Sequence, residues 1–206
     1  MDWSYTERDP GLALFTTCLQ AGAPMPMTAG MRVLEIGCCE ADWLHLAAKA
    51  WPECAFVGVD VRAPNDREEH GRIERVQADV MNPDLFAPES FDAIVSLSAI
   101  EHVGLGHYGD PKDPKGDIRV MANAWRWLKP GGWLYFDVPY DPTGYRVQGT
   151  ECRVYDDQAI AWRLSPLTGH GPHAWFSEAR SAGTLVPKPT APVEPFHYCA
   201  MVWRKS

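Results

Sequence analysis

The sequence predicts an α/β fold built around a mostly parallel sheet, on three observations. Short apolar runs alternate with stretches whose apolar residues recur at helical spacing, the pattern that strand–helix–strand units leave in a chain. Three of those runs end at or beside an acid, at Glu35, Asp60 and Asp79. In Val33-Leu34-Glu35-Ile36-Gly37-Cys38-Cys39-Glu40, an apolar run passes through an acid and a glycine into a helical pattern. That is the strand, tight turn and helix start at which such sheets hold nucleotide-like ligands.

The elements follow in order. Asp9-Pro10 reads as an N-cap with proline at the first helical position, and Leu12, Phe15 and Leu19 give the helix one buried face to about Gln20. After the glycine turn, a helix over about Ala41 to Ala50 buries Leu44 and Ala47 and stops at Pro52. Ala55 to Asp60 is apolar enough for a strand buried on both faces. Arg62 to Gly71 lacks apolar period and reads as a loop or short helix. Ile73 to Ala78 and Phe91 to Ser98 are the next two strands, the latter opening into the loop Glu101 to Asp110. Ile118, Met121, Trp125 and Leu128 mark a helix that Lys129-Pro130-Gly131-Gly132 stops, before a strand over Trp133 to Val138. Pro139 to Val154 reads as loop, and Asp156 caps a helix to Leu164. His173 to Phe176 and Phe196 to Arg204 are the last two strands.

A length of 206 residues suits one domain and therefore one site. The net charge of −8 and the lack of a Lys/Arg cluster disfavour nucleic acid as a partner. No stretch has the length of a membrane span and no leader pattern opens the chain, so a cytoplasmic protein is expected. Six cysteines without paired spacing suggest reduced thiols rather than a zinc ribbon or a disulfide framework.

With these motifs in hand, the chain resembles the class I S-adenosylmethionine-dependent methyltransferases. VLEIGCCE looks like their first motif, VGVD their second, QADV their third, FDAIVSLSAIEHV their fourth, and LKPGGWLYFDVP the entry to their fifth strand. The resemblance runs over residues 31 to 138 in consistent order. It implies a Rossmann-like, doubly wound sheet of seven strands, mostly parallel with an antiparallel last strand. Residues 1–206 then form one methyltransferase-like domain: an arm and helix over 1–30, a cofactor-binding core over 31–138, and substrate-side loop, helix and closing strands over 139–206.

The resemblance also implies S-adenosylmethionine as cofactor and assigns roles. Gly37 lets the backbone approach the methionine part, Glu35 lies beneath the charged end, and Asp60 accepts both ribose hydroxyls. Asp79 binds the adenine amine, Val80 adds a backbone contact, and Ser96 lies near the methionine part. Cys39 stands where the family usually has glycine. The same substitution argues against a dinucleotide, because a G-x-G-x-x-G pattern started at Gly37 would meet Cys39 and Asp42.

Methyl transfer from a sulfonium asks the protein mainly to align the reactants and exclude water. A base is needed when the acceptor holds a tightly bound proton, and His102, oriented by Glu101, is the first candidate. His107, Tyr108 and Asp110 come second. His102, His107 and Asp110 share a loop without fixed ligand spacing, so no metal is expected. Trp3, Tyr5, Tyr140, Tyr145 and Tyr155 are candidate walls of an acceptor pocket, whereas Trp125 and Trp133 read as core. The expected function is methyl transfer to oxygen or nitrogen of a small-molecule acceptor. The alternatives are a non-catalytic cofactor-binding or partner domain of the same fold, and a protein or nucleic-acid methyltransferase.

Overall fold

The computed structural model describes residues 27–39, 43–63, 73–165, 173–176, 185–186, 188–191 and 197–206. The helix expected from Asp9 lies outside them, as does most of the segment from Arg62 to Gly71.

The apolar runs form β1 (Arg32–Ile36), β2 (Ala55–Asp60), β3 (Ile73–Gln77) and β4 (Phe91–Ser96). Helix α1 (Trp43–Ala50) follows β1, and α2 (Gly116–Trp127) leads directly into β5 (Leu128–Tyr140). A small hairpin of β6 (Arg146–Gln148) and β7 (Cys152–Val154) comes next. Helix α3 (Asp157–Ala159) starts on the Asp156 cap, whose carboxylate accepts the Ala159 amide at 2.6 Å, and widens into a turn over Ile160–Leu164. β8 (His173–Phe176), β9 (Leu185–Val186) and β10 (His197–Arg204) complete the fold.

The main sheet runs β3-β2-β1-β4-β5-β10-β8-β9. β3 through β5 are parallel, and β10 lies antiparallel along β5 from His197↔Tyr140 to Arg204↔Trp133. Strand order reverses between β1 and β4, the switch point at which such sheets open a crevice beyond their carboxyl ends. Alternation along the strands divides the core in two. Val33, Phe56, Val95 and Tyr135 face Trp43, Leu44 and Ala47, while Leu34, Val57, Ile94 and Phe136 share the other core with Val120, Met121, Ala124 and Trp127.

Five expectations need correction. The sheet has eight strands rather than seven: six long-paired ones plus β8 and the two-residue β9, too short to leave an alternating signal. The fourth strand ends at Ser96, because Ser98 turns to φ +47° and leaves the extended region. Part of the segment expected as loop after Pro139 is the β6–β7 hairpin. The strand after α2 starts at Leu128, since Gly131 and Gly132 exchange backbone bonds with Lys205 instead of only turning the chain. Finally, α2 buries Asp117, Val120, Met121, Ala124 and Trp127, a stripe offset from the expected one, so Trp127 is core while Trp125 and Trp133 are only partly buried.

Candidate functional site

Gly37 closes β1 with φ +83°, a conformation that costs L-residues energy, and a Cβ there would collide with the Cβ of Ala99 beyond β4. Glycine is therefore what allows the β1 and β4 turns to meet at the switch point. Its amide donates to the Val59 carbonyl at 2.8 Å, pinning the turn to β2. Cys39 carries no such strain. Among described non-glycine residues only Glu89 and Ser98 have positive φ, and the Cys39 thiol donates to the Ala63 carbonyl at 3.5 Å. Its side chain therefore fits where glycine was expected.

Glu35 is wholly buried, in register with Gly58 of β2 and, through it, Arg75 of β3. Without a side chain at Gly58, the Cys38 sulfur occupies that space, 3.6 Å from Arg75 Nη1; Arg75 Nη2 in turn lies 2.6 Å from His45 Nε2. Burial, reinforced by the Glu35 charge, pushes the Cys38 thiol up to about 12. Cys38 and Cys39 are not bridged to each other and have different neighbours.

Asp60 ends β2 almost fully buried. Its Oδ1 accepts from the Arg62 amide at 2.9 Å and Arg62 Nε at 3.1 Å. Its Oδ2 accepts from the Cys39 amide at 3.0 Å and Arg62 Nη2 at 3.1 Å. Asp79 accepts the Met81 amide at 2.8 Å, and the Val80 carbonyl accepts from Asn123 at 2.9 Å, which holds the β3 turn on α2. Ser96 is fully buried and donates to the Ile36 carbonyl at 3.4 Å, so it ties β4 to β1.

After β4 the loop over residues 98–110 is held together by side chains. Ser98 donates its amide to Oδ1 of the buried Asp137 at 2.7 Å, which holds the strained turn. Glu101 is buried and places Oε1 3.7 Å from His102 Nε2. His102 Nδ1 touches the Glu151 carbonyl oxygen, which can only accept, so that nitrogen carries a proton and Nε2 faces Glu101. The rings of His107 and Tyr108 pack beside His102, at centroid distances of 6.1 and 5.4 Å. The Arg62 guanidinium lies 4.2 Å over the Tyr108 ring, joining Asp60 to this cluster. Asp110 accepts the Gly104, Gly106 and Tyr108 amides and so folds the loop.

Sequence reasoning missed the brace beneath this loop. Arg153, wholly buried, donates to the carbonyls of Glu101 (3.2 Å), Val103 (2.6 Å) and Asp113 (3.3 Å). Buried Asp117 accepts from Tyr155 Oη at 3.1 Å and from Arg163 at 2.7 and 2.8 Å, with Arg153 Nε 3.7 Å away. Burial, reinforced by Asp117, holds the Tyr155 hydroxyl well above its usual range. Tyr140 and Tyr155 thus belong to the core rather than to a pocket wall, and Tyr145 is partly buried against it. Asp137 had a readable signal, an acid near the carboxyl end of an apolar strand. Asp117 and Arg153 had none, since charged residues on a helix and in a presumed loop read as solvated.

A family model described as Caenorhabditis protein of unknown function, DUF268, matches residues 70–178. Methyltransferase str3 of Strobilurus tenacellus is 28% identical over 115 residues, which are 56% of this chain and 38% of that protein. The chain thus spans little more than a third of that relative's length. Among solved structures, the 1,6-didemethyltoxoflavin-N1-methyltransferase of Burkholderia thailandensis, determined with 1,6-didemethyltoxoflavin and S-adenosylhomocysteine, superposes with a TM-score of 0.65 at 17% identity. That match covers 100% of this chain and 81% of that one. A SAM-dependent methyltransferase from Archaeoglobus fulgidus gives 0.64 at 15% identity, covering 98% and 96%. The fold is the one these methyltransferases share.

Proposed function

Because this chain belongs to the family described as Caenorhabditis protein of unknown function, DUF268, and carries the methyltransferase fold, we propose that it transfers a methyl group from S-adenosylmethionine to oxygen or nitrogen of a small-molecule acceptor. The observation that carries the reading is the donor set around Asp60. Arg62 offers that carboxylate two parallel N–H donors, the pattern a vicinal ribose diol would offer, while the Cys39 amide fixes its orientation. The residues therefore fit the cofactor.

In this reading residues 31–138 form the cofactor-binding core. Asp60 would accept the ribose, Asp79 and Val80 would meet the adenine, and Gly37 would leave room for the methionine part beside buried Glu35. When bound, S-adenosylmethionine supplies a methyl group already activated by its sulfonium. The chain's own task is to align the acceptor, keep water out and take up a proton. The Glu151 carbonyl orients His102 and leaves Nε2 to accept that proton, and the Glu101 carboxylate stands ready to balance the imidazolium that results. Five described cysteines kept as thiols accord with the reducing cytoplasm.

A non-catalytic domain of the same fold has one observation in its favour, the Arg62 side chain bound to Asp60. The net charge of −8 weighs against a nucleic-acid acceptor. The test uses methyl-labelled S-adenosylmethionine with a panel of small phenols, catechols and amines. His102→Ala is expected to lose about 10²- to 10⁴-fold in turnover while cofactor affinity stays within about two-fold. Unchanged turnover removes His102 as base, and no transfer to any of the panel by the wild type favours the non-catalytic domain.

A further inference from the structure

We propose that Arg62 is a built-in competitor of the cofactor, a side chain that closes the ribose seat and must be displaced when the nucleoside arrives. The inference rests on the reading of Asp60 as the ribose acid and concerns what guards it. A carboxylate offers about four acceptor positions. On Asp60 all four have donors: the amides of Cys39 and Arg62, and Nε and Nη2 of Arg62. The two amides belong to the turns after β1 and β2 and hold the carboxylate in place. The two guanidinium donors belong to a side chain and take the positions that two hydroxyls would need.

The exchange is balanced in kind. Two N–H donors leave as two O–H donors arrive, so Asp60 keeps its partners throughout. Arg62 has somewhere to go, because its side chain is 26% exposed and its guanidinium already lies 4.2 Å over the Tyr108 ring, which can keep it once Asp60 is taken. Cofactor entry would therefore release a cation against the loop that carries His102. The internal pair also lowers the apparent affinity for the nucleoside by whatever free energy the pair contributes.

The test is calorimetric titration of S-adenosylhomocysteine, which is net neutral near pH 7, into the wild type and Arg62→Met at about 0.05 and 0.5 M salt. Arg62→Met is expected to bind about two- to five-fold tighter at low salt. Wild-type affinity should rise with salt as the internal pair is screened, whereas the variant's should stay flat. Arg62→Lys, which keeps the charge without the two-pronged geometry, should lie between them. Equal or weaker binding by Arg62→Met overturns the proposal and makes Arg62 idle or a ligand. Binding by neither protein overturns the ribose reading of Asp60, and the proposal with it.

Discussion

The proposed cofactor end and the proposed acceptor end of this site hold their carboxylates in different ways. At the cofactor end, Asp60 is held by its own second neighbour and by the amide of Cys39, donors that come with the turns themselves. At the acceptor end, Asp117 is held by Tyr155 and Arg163, side chains 38 and 46 positions away, and Arg153 reaches 52 positions to the carbonyl of Glu101. One end is held by two backbone amides, two and 21 positions away, with the Arg62 side chain beside them, and the other by a longer-range network of buried side chains. The first should tolerate side-chain loss with its fold intact. The second should not, because removing one member leaves the others buried and uncompensated.

The largest expected effect follows from that contrast. Asp117→Ala strands two arginines and a tyrosine, and urea unfolding should register a loss of about 3–5 kcal/mol. A loss below about 1 kcal/mol would mean that the network does not brace the loop. Asp137→Ala should cost less, about 1–3 kcal/mol, because it abandons the Ser98 amide and strands no buried arginine pair. Asp137→Asn, which keeps an acceptor oxygen, should recover most of that in the same measurement.

The contrast also explains what could be read from the sequence. β2 was predicted residue for residue, and Gly37, Asp60 and Asp79 stand at strand ends because a strand, a turn and an acid occupy consecutive positions. The acceptor end was legible only as a loop holding Glu101, His102, His107, Tyr108 and Asp110. Its brace needs Cys152–Val154 to form a strand, which it does only by pairing with Arg146–Gln148 in a hairpin, and Asp117 to turn inward, which rests on partners 38 and 46 positions away. The α2 stripe was misplaced for the same reason: buried Asp117 shifts the inward face away from the purely apolar positions. Arg62 was passed over as part of a polar loop, though it lies two residues after the acid whose oxygens it binds.

The smallest expected effect separates Cys38 from the acids around it. Its folded thiol is raised to about 12 from the ordinary value of 9.0, chiefly by burial. Below pH 9 the thiol is protonated in both states and stability does not depend on it. Above pH 9 the unfolded thiol ionises first, so stability falls as pH rises toward 12. Cys38→Ala should flatten that slope in urea unfolding between pH 8 and 10, while an unaltered slope would place its origin elsewhere.

The central claim is that the ends of β1, β2 and β3 form a nucleoside seat anchored on Asp60, independent of the brace beneath the acceptor loop. Calorimetric titration of S-adenosylhomocysteine into the wild type and Asp60→Ala, with urea unfolding of both proteins, tests it most directly. Binding by the wild type, at least about ten-fold weaker in Asp60→Ala while that variant's stability loss stays below about 3 kcal/mol, is the predicted result. Equal affinity in the two proteins, or no binding by the wild type, would contradict it.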